Sequence, residues 1–310
     1  ALYNEHEAIG DSVKAFDYLQ SANLVRCKNQ PFDHLENSEK IENYIERLHK
    51  IEFSNSELDQ STLPAPVFIF GLPRTGTTLL EKCVTSLAEV EAVGEHMDFR
   101  KELELQTNLR FSSPFDIVIR PFEDQLDLPL AGSRYLEKTA WRAHDRPYYT
   151  DKENSNFAYA GLIANAIPSA RIIHIRRNPM DACFSGFRQL FAPGAYKASY
   201  SLTDLEAYYR NYERMMTFWR NALGPRLLEI HYEDLVLRNS ETMLKIKDYC
   251  RFKVTASASE QKPYKASTLS AAQVQKPIHA GNINAWAKYR EHLKPLREAL
   301  DAEYTAYMAA

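Results

Sequence analysis

The stretch Val67-Phe-Ile-Phe-Gly71-Leu-Pro-Arg74-Thr75-Gly76-Thr77-Thr78 constrains this chain more than any other. An unbroken apolar run stopped by a glycine reads as a buried strand, and the segment from Thr77 onward reads as a helix. Gly71 and Gly76 allow backbone angles and a closeness of approach that a Cβ would obstruct. The N–H groups of the turn and of the helix N-terminus can therefore face an anion, and a phosphate or sulfate is expected there. The glycine spacing is that of G-x-x-x-x-G-K-[ST], but Thr77 stands where the lysine would be and the positive charge sits at Arg74. A nucleoside triphosphatase built on this loop would lack the lysine that neutralises its β- and γ-phosphates. A tight turn with an incidental arginine is the plainer alternative.

A second segment, Ile172-Ile-His-Ile-Arg176-Arg177-Asn178-Pro179-Met-Asp181-Ala-Cys-Phe-Ser185, repeats the plan of strand, turn and helix. Arg177 is expected to end the strand. Ser185, eight residues on, lies about two helical turns further, a spacing that can bring a guanidinium and a hydroxyl to one anion. Anion sites beyond the ends of two neighbouring parallel strands suit a ligand with phosphates at both ends of a nucleoside. Alone, the same residues could equally start a surface helix.

Further strands are expected at Tyr148 to Lys152 and Arg226 to Ile230, with a helix through Phe157 to Ala166. Strands alternating with helices imply an α/β fold, a P-loop-like three-layer domain with a central parallel sheet flanked by helices. In the helix expected from Leu202 to Leu223, the residues Leu205, Tyr208, Tyr209, Tyr212, Met215, Met216 and Trp219 recur at helical spacing and read as core.

Residues 1–60 read as a helical segment and linker, and residues 61–310 as the main domain. Ala8, Ile9, Val13, Phe16, Leu19, Ala22 and Leu24 suggest the packed stripe of a helical hairpin that turns at Gly10-Asp11, and Ile41, Tyr44, Ile45, Leu48 and Ile51 a further stripe. The N-terminal helices could receive a protein partner. Lys plus Arg number 38 against 41 Asp plus Glu, so no broad positive field is available to hold a nucleic-acid backbone. No run of about 18 apolar residues occurs, so no membrane span is expected. Cys27, Cys83, Cys183 and Cys250 lie far apart, which fits a reducing, cytoplasmic setting better than a disulfide scaffold. The chain opens on Ala1 rather than Met, which leaves room for an upstream segment. No His, Cys or carboxylate cluster has metal-ligand spacing, and no metal is expected.

The combination G-x-P-R-[ST]-G-T-T after a strand, then strand-Arg-[DN]-P-x-[DE]-x-x-x-S, then Tyr232-Glu233-Asp234-Leu235, resembles the sulfotransferases that use 3'-phosphoadenosine-5'-phosphosulfate (PAPS). The resemblance is greatest to the bacterial branch whose sulfotransferase domain follows tetratricopeptide repeats. It covers about residues 60 to 295, and residues 7 to 27 resemble the tail of a preceding repeat.

The resemblance implies transfer of a sulfuryl group to an acceptor hydroxyl with release of 3'-phosphoadenosine-5'-phosphate (PAP). It leaves open whether the acceptor is a sugar, a peptide tyrosine, a lipid or a phenol. By position, Arg74, Thr75, Gly76, Thr77 and Thr78 would hold the 5'-phosphosulfate, Arg177 and Ser185 the 3'-phosphate, and Tyr232 would lie near the adenine. Gly281, in His279-Ala-Gly281-Asn-Ile-Asn-Ala-Trp286, falls in the stretch that would close over the 3'-phosphate, although the arginine common there is missing. Lys152 matches a lysine that assists the leaving group. Glu95, in Val93-Gly94-Glu95-His96, matches the base of the tyrosylprotein sulfotransferases, and the imidazole of His96 is the rival because that side chain suits proton transfer near neutrality. The competing readings are a P-loop small-molecule kinase and a non-catalytic scaffold with a vestigial nucleotide site.

Overall fold

The computed structural model describes residues 1–53, 58–60, 62, 64–87, 89–119, 125–252 and 278–310. The apolar run expected to be a strand is β1 (Ala65–Phe70), buried at every position. A strand covered on both faces needs no alternation, which is why this segment is continuously apolar. Around it assemble β2 (Val90–Glu91), β3 (Tyr148–Lys152), β4 (Arg171–Arg176) and β5 (Leu227–His231) in the order β2-β3-β1-β4-β5, every neighbouring pair parallel. The register sets Val67 opposite Thr150 on one side and Arg171 on the other, so the carboxyl ends of β1, β3 and β4 share one edge. From β1 the chain travels out to β2, returns through β3, and crosses to β4 and β5. The connections after β1 and β4 thus depart in opposite directions, the arrangement that opens a crevice for ligands in parallel sheets.

Among the described residues the helices are α1 (Leu2–Ala8), α2 (Ser12–Asn29), α3 (His34–Leu48), α4 (Thr77–Thr85), α5 (Asp98–Thr107), α6 (Leu128–Thr139), α7 (Ala160–Ala166), α8 (Pro179–Phe187), α9 (Leu202–Leu223), α10 (Tyr232–Leu237), α11 (Asn239–Cys250), α12 (Lys294–Ala299) and α13 (Asp301–Ala309). Among the described residues, no helix is long and apolar enough to cross a membrane.

The chain divides into two units, one of residues 1–39, 177–214 and 279–310, the other of residues 40–176 and 215–278. The second unit holds the sheet. Its core includes Phe68, Phe70, Tyr135 and Trp219, all fully buried, and burial of a large apolar side chain contributes roughly 1.5–3 kcal/mol. Trp219 Nε1 donates to the carbonyl of Phe157 at 2.8 Å, which satisfies the one polar atom of that ring. On α3 the expected stripe buries Ile41, Tyr44 and Leu48, and the Tyr44 hydroxyl donates to the carbonyl of Ala158 at 2.9 Å.

In the first unit, α1 and α2 form the expected hairpin, with Gly10 at φ +81 in the turn. The stripe is different from the one expected. Ala15, Phe16, Leu19 and Asn23 are buried, whereas Ile9, Val13 and Leu24 are exposed. Asn23 replaces an apolar residue on the packed face because its Nδ2 donates to the carbonyl of Phe187 at 2.8 Å, leaving no donor stranded. Phe16 stacks on Phe187 and on His292.

Two bounds also shift. β4 ends at Arg176, so Arg177 begins the turn, and β5 runs one residue later than expected. The segment before α7 is a 3-10 turn, Asn154–Tyr159, in place of a continuous helix from Phe157.

Candidate active site

The loop between β1 and α4 has the geometry its glycines foretell. A Cβ on Gly71 would lie 2.3 Å from the carbonyl oxygen of Ile175 and 2.6 Å from Thr75 Oγ1, so no larger residue fits. Gly76, at φ +105, is the N-cap of α4, and a Cβ there would lie 2.5 Å from Cδ2 of the Tyr232 ring. Arg74 also has a positive φ, +71, which for a residue with a Cβ costs on the order of 1–3 kcal/mol and must be held by its surroundings. Part of that hold is visible: Thr75 donates to the carbonyl of Leu72 through both its N–H, at 3.2 Å, and its Oγ1, at 2.7 Å. No side chain caps α4, and Thr77 and Thr78 are buried in its first turn. The first-turn N–H groups of a helix, with its dipole behind them, are a favourable setting for an anion.

A second loop, residues 92–97, runs from β2 to α5. It carries Glu95, which is exposed, and His96, which is half-buried. Lys152, at the end of β3, has no exposed side-chain surface, and its Nζ donates to Glu95 Oε1 at 2.6 Å. A buried ammonium without a counter-charge is expensive, and this carboxylate supplies one while keeping 43% of its side chain exposed. His96 Nε2 lies 3.0 Å from the carbonyl of Val93. A carbonyl can only accept, so Nε2 is the protonated nitrogen and is engaged by its own loop.

The loop is held from below. Val93 N–H donates to Thr150 Oγ1 at 3.0 Å, Gly94 N–H donates to Glu81 Oε1 at 3.1 Å, and Lys152 N–H donates to the carbonyl of Gly94 at 3.0 Å. Glu81 on α4 escaped the reading of the sequence. The signal was present: a carboxylate on the packed side of a helix beside Leu80, Cys83 and Val84 must have a buried partner. Next to Lys152, the fully buried Asp151 accepts from the Tyr135 hydroxyl at 2.7 Å and from Asn156 Nδ2 at 3.0 Å. Burial pushes its carboxyl up to about 7 against the pull of the Tyr135 hydrogen bond, and the charges of Glu153 and Asp98 add to the rise.

In the first unit, Asn178 caps α8 by accepting from the N–H groups of Met180 and Asp181, and Pro179 opens the helix at a position where a proline fits well. Arg177, just before the cap, donates from its guanidinium to the carbonyl of Asn282, and its Nη2 lies 3.8 Å from Asp181 Oδ2. Asp181, 1% exposed, accepts from the N–H of Asn284 at 2.7 Å and of Trp286 at 3.1 Å. The 282–286 stretch is thereby tied to α8, a role for Asp181 that spacing alone did not reveal. Ser185 is buried further along the helix, and the N–H of Gly281 donates to Nδ1 of His279 at 3.2 Å. Of the expected residues, Arg74 to Thr78, Glu95, His96, Lys152 and Tyr232 belong to the second unit, and Arg177, Ser185 and Gly281 to the first. Among the described residues no group of three or more His, Cys, Asp or Glu is arranged to hold a metal ion.

An uncharacterized protein of Aquifex aeolicus strain VF5 is 27% identical over 310 residues, covering 96% of this chain and 40% of that protein. The chain thus spans two fifths of that relative's length. Among solved structures, mouse sulfotransferase SULT7A1 complexed with PAP aligns over 84% of this chain and 90% of its own, at 13% identity and a TM-score of 0.44. The sulfotransferase domain of the Synechococcus PCC 7002 olefin synthase aligns over 75% of this chain and 97% of its own, at 17% identity and a TM-score of 0.42. The model of the sulfotransferase family matches residues 66–256, from the second residue of β1 past the end of α11 and so across both the glycine loop and the β4 turn. A strand that delivers a glycine loop without the triphosphatase lysine, in a match that spans most of the chain, places this protein in the sulfotransferase family.

Proposed function

We propose that this chain transfers a sulfuryl group from PAPS to an acceptor hydroxyl and releases PAP. The observation that carries the reading is the β1–α4 loop, in which Gly71 and Gly76 cannot be enlarged, Thr77 stands where a triphosphatase has its lysine, and Arg74 is the basic residue. Residues 61–310 carry the transferase on this reading, and residues 1–60 are an appended helical segment like the end of a tetratricopeptide array.

The donor supplies an activated sulfuryl group, and the chain's own residues bind, orient and move the proton. Arg74 and the N–H groups of Thr75 to Thr78 hold the 5'-phosphate and meet the charge that develops on its bridging oxygen as the sulfur–oxygen bond breaks. One preorganised donor of this kind is typically worth on the order of 10²–10³ in rate. Glu95 takes the acceptor's proton while that oxygen attacks sulfur, a contribution of roughly 10²–10⁴. Lys152 holds the Glu95 carboxylate and brings a second positive charge to the departing oxygen. Arg177, Ser185 and Gly281 hold the 3'-phosphate, and Tyr232 lies beside the adenine. His96, whose Nε2 donates to the carbonyl of Val93 and whose Nδ1 keeps its lone pair, is the rival base on this reading.

PAP is expected to raise the melting temperature without magnesium, and ATP much less. A ligand at about 100 times its dissociation constant adds about 2.7 kcal/mol of stability, which a melting curve resolves. Equal shifts with ATP, or a shift only in the presence of magnesium, would reject the reading in favour of a kinase.

A further inference from the structure

Glu81 sits one helical turn beyond the residues that open α4, and it is 2% exposed. Its Oε1 accepts two hydrogen bonds, from Thr150 Oγ1 at 2.6 Å and from the N–H of Gly94 at 3.1 Å. Thr150, also fully buried, uses its hydroxyl in both directions, since Oγ1 accepts from Val93 N–H at 3.0 Å while giving its proton to Glu81. Val93 and Gly94 are the two residues before Glu95. Thr150 and Lys152 are alternate residues of β3 and so point to one face of the sheet.

We infer that Glu81 and Thr150 are positioning residues that set the height and direction of the loop bearing Glu95 and tie it to the helix that opens the phosphate loop. This rests on the reading of Glu95 as the base. The chain Val93 N–H to Thr150 hydroxyl to Glu81 carboxylate to Gly94 N–H closes on itself, and each of its hydrogen bonds is assigned a direction by chemistry alone. An N–H can only donate, so Thr150 Oγ1 must accept from Val93. A carboxylate can only accept, so the same hydroxyl must donate to Glu81. A serine satisfies both demands, and a valine satisfies neither. The amide oxygen of a glutamine at position 81 could still accept both bonds. Gly94, at φ +86, has no side chain of its own with which to fix the turn, so its backbone is held from outside.

The network makes Thr150→Val and Thr150→Ser the informative pair. Thr150→Val should lower kcat about tenfold, the loss of about one buried hydrogen bond's worth of positioning, while PAP affinity and donor KM stay within about twofold. Hydrogen exchange at the Val93 and Gly94 amides should speed up in the same variant. Thr150→Ser should return both readouts close to wild type, and Glu81→Gln should lose less than about threefold in kcat because its acceptor oxygen remains. Should Thr150→Val fail to fold, Thr150→Ala removes the hydroxyl without setting an extra methyl against the carboxylate and carries the same comparison.

Wild-type kcat in the valine or alanine variant, with Glu95→Gln inactive, would overturn this inference and leave the base reading standing. A parallel loss of kcat and PAP affinity would also overturn it, since the network would then serve the phosphate loop alone. Full turnover in Glu95→Gln would remove the base reading, and this inference with it.

Discussion

Glu95 and His96 are neighbours that the sequence could not rank, and the hydrogen bonds they make differ in kind. Glu95 receives the Lys152 ammonium on Oε1 while staying partly open to solvent, whereas His96 is turned toward the carbonyl of Val93. Glu95→Gln keeps the shape and an oxygen for Lys152 but removes the basic lone pair. Turnover should therefore fall by roughly 10²-fold or more with PAP binding nearly unchanged, and His96→Ala should be much milder. PAP release with any acceptor that gives a measurable rate, together with a melting curve for each variant, makes the comparison. More than about half of wild-type turnover in Glu95→Gln, with chemistry rate-limiting, would dismiss Glu95.

At the scale of the element, the β1–α4 connection is a rigid part whose sequence is dictated by contacts on all sides. Gly76 combines a left-handed φ with a ring of Tyr232 lying where its Cβ would go. Gly76→Ala should cost about 1–3 kcal/mol and shift the turn that presents the α4 N–H groups. The expected outcome is a lower melting temperature in which the stabilisation by PAP is also lost. Retention of the full PAP shift in a destabilised Gly76→Ala protein would show that the turn is structural only. The β4–β5 pair is held differently. Glu229 on β5 accepts from His174 at 2.8 Å, from Arg176 at 3.0 Å and from Arg220 at 2.9 Å. Burial pushes the Glu229 carboxyl up, but the His174 hydrogen bond and the surrounding positive charges outweigh it and hold the group well below the usual carboxylate range. That contribution to stability is present above the ordinary carboxylate range and is lost as pH falls.

For the whole molecule, the pH dependence of stability has an opposing component in Asp151. Its carboxyl loses its proton near 7 in the folded chain and near its ordinary value of 3.8 in the unfolded one. Between those limits the folded state holds a proton that the unfolded state lacks, so stability falls as pH rises through the window and the loss is complete above it. Asp151→Asn retains an acceptor for the Tyr135 hydroxyl and removes the titration. The melting temperature of wild type minus that of Asp151→Asn should therefore decrease steadily from about pH 4 to above pH 7. A difference that is flat across this range would mean that Asp151 is ionised in the fold.

Much of this protein was legible as local sequence because it is decided locally. The strand, the turn and the helix of residues 65–85 follow from an apolar run, a pair of glycines that permit a tight turn, and a helix start. The strands at Tyr148–Lys152 and Arg171–Arg176 follow from short runs bounded by turn residues, and the 22-residue helix Leu202–Leu223 from its apolar stripe. The two-residue β2 could not be read in this way, being too short to carry any pattern. The packed face of α2 was misread because a buried asparagine with a satisfied amide does not announce itself as core. What only the tertiary structure decided is which distant residues meet. Lys152 finds Glu95 across 57 positions, and Thr150 finds Glu81 across 69, because β3 pairs with both β1 and β2 and α4 packs against that sheet. Backbone geometry at a glycine is a property of a few adjacent residues, whereas the choice of partner for a buried charge depends on strand order, which no short stretch of sequence contains.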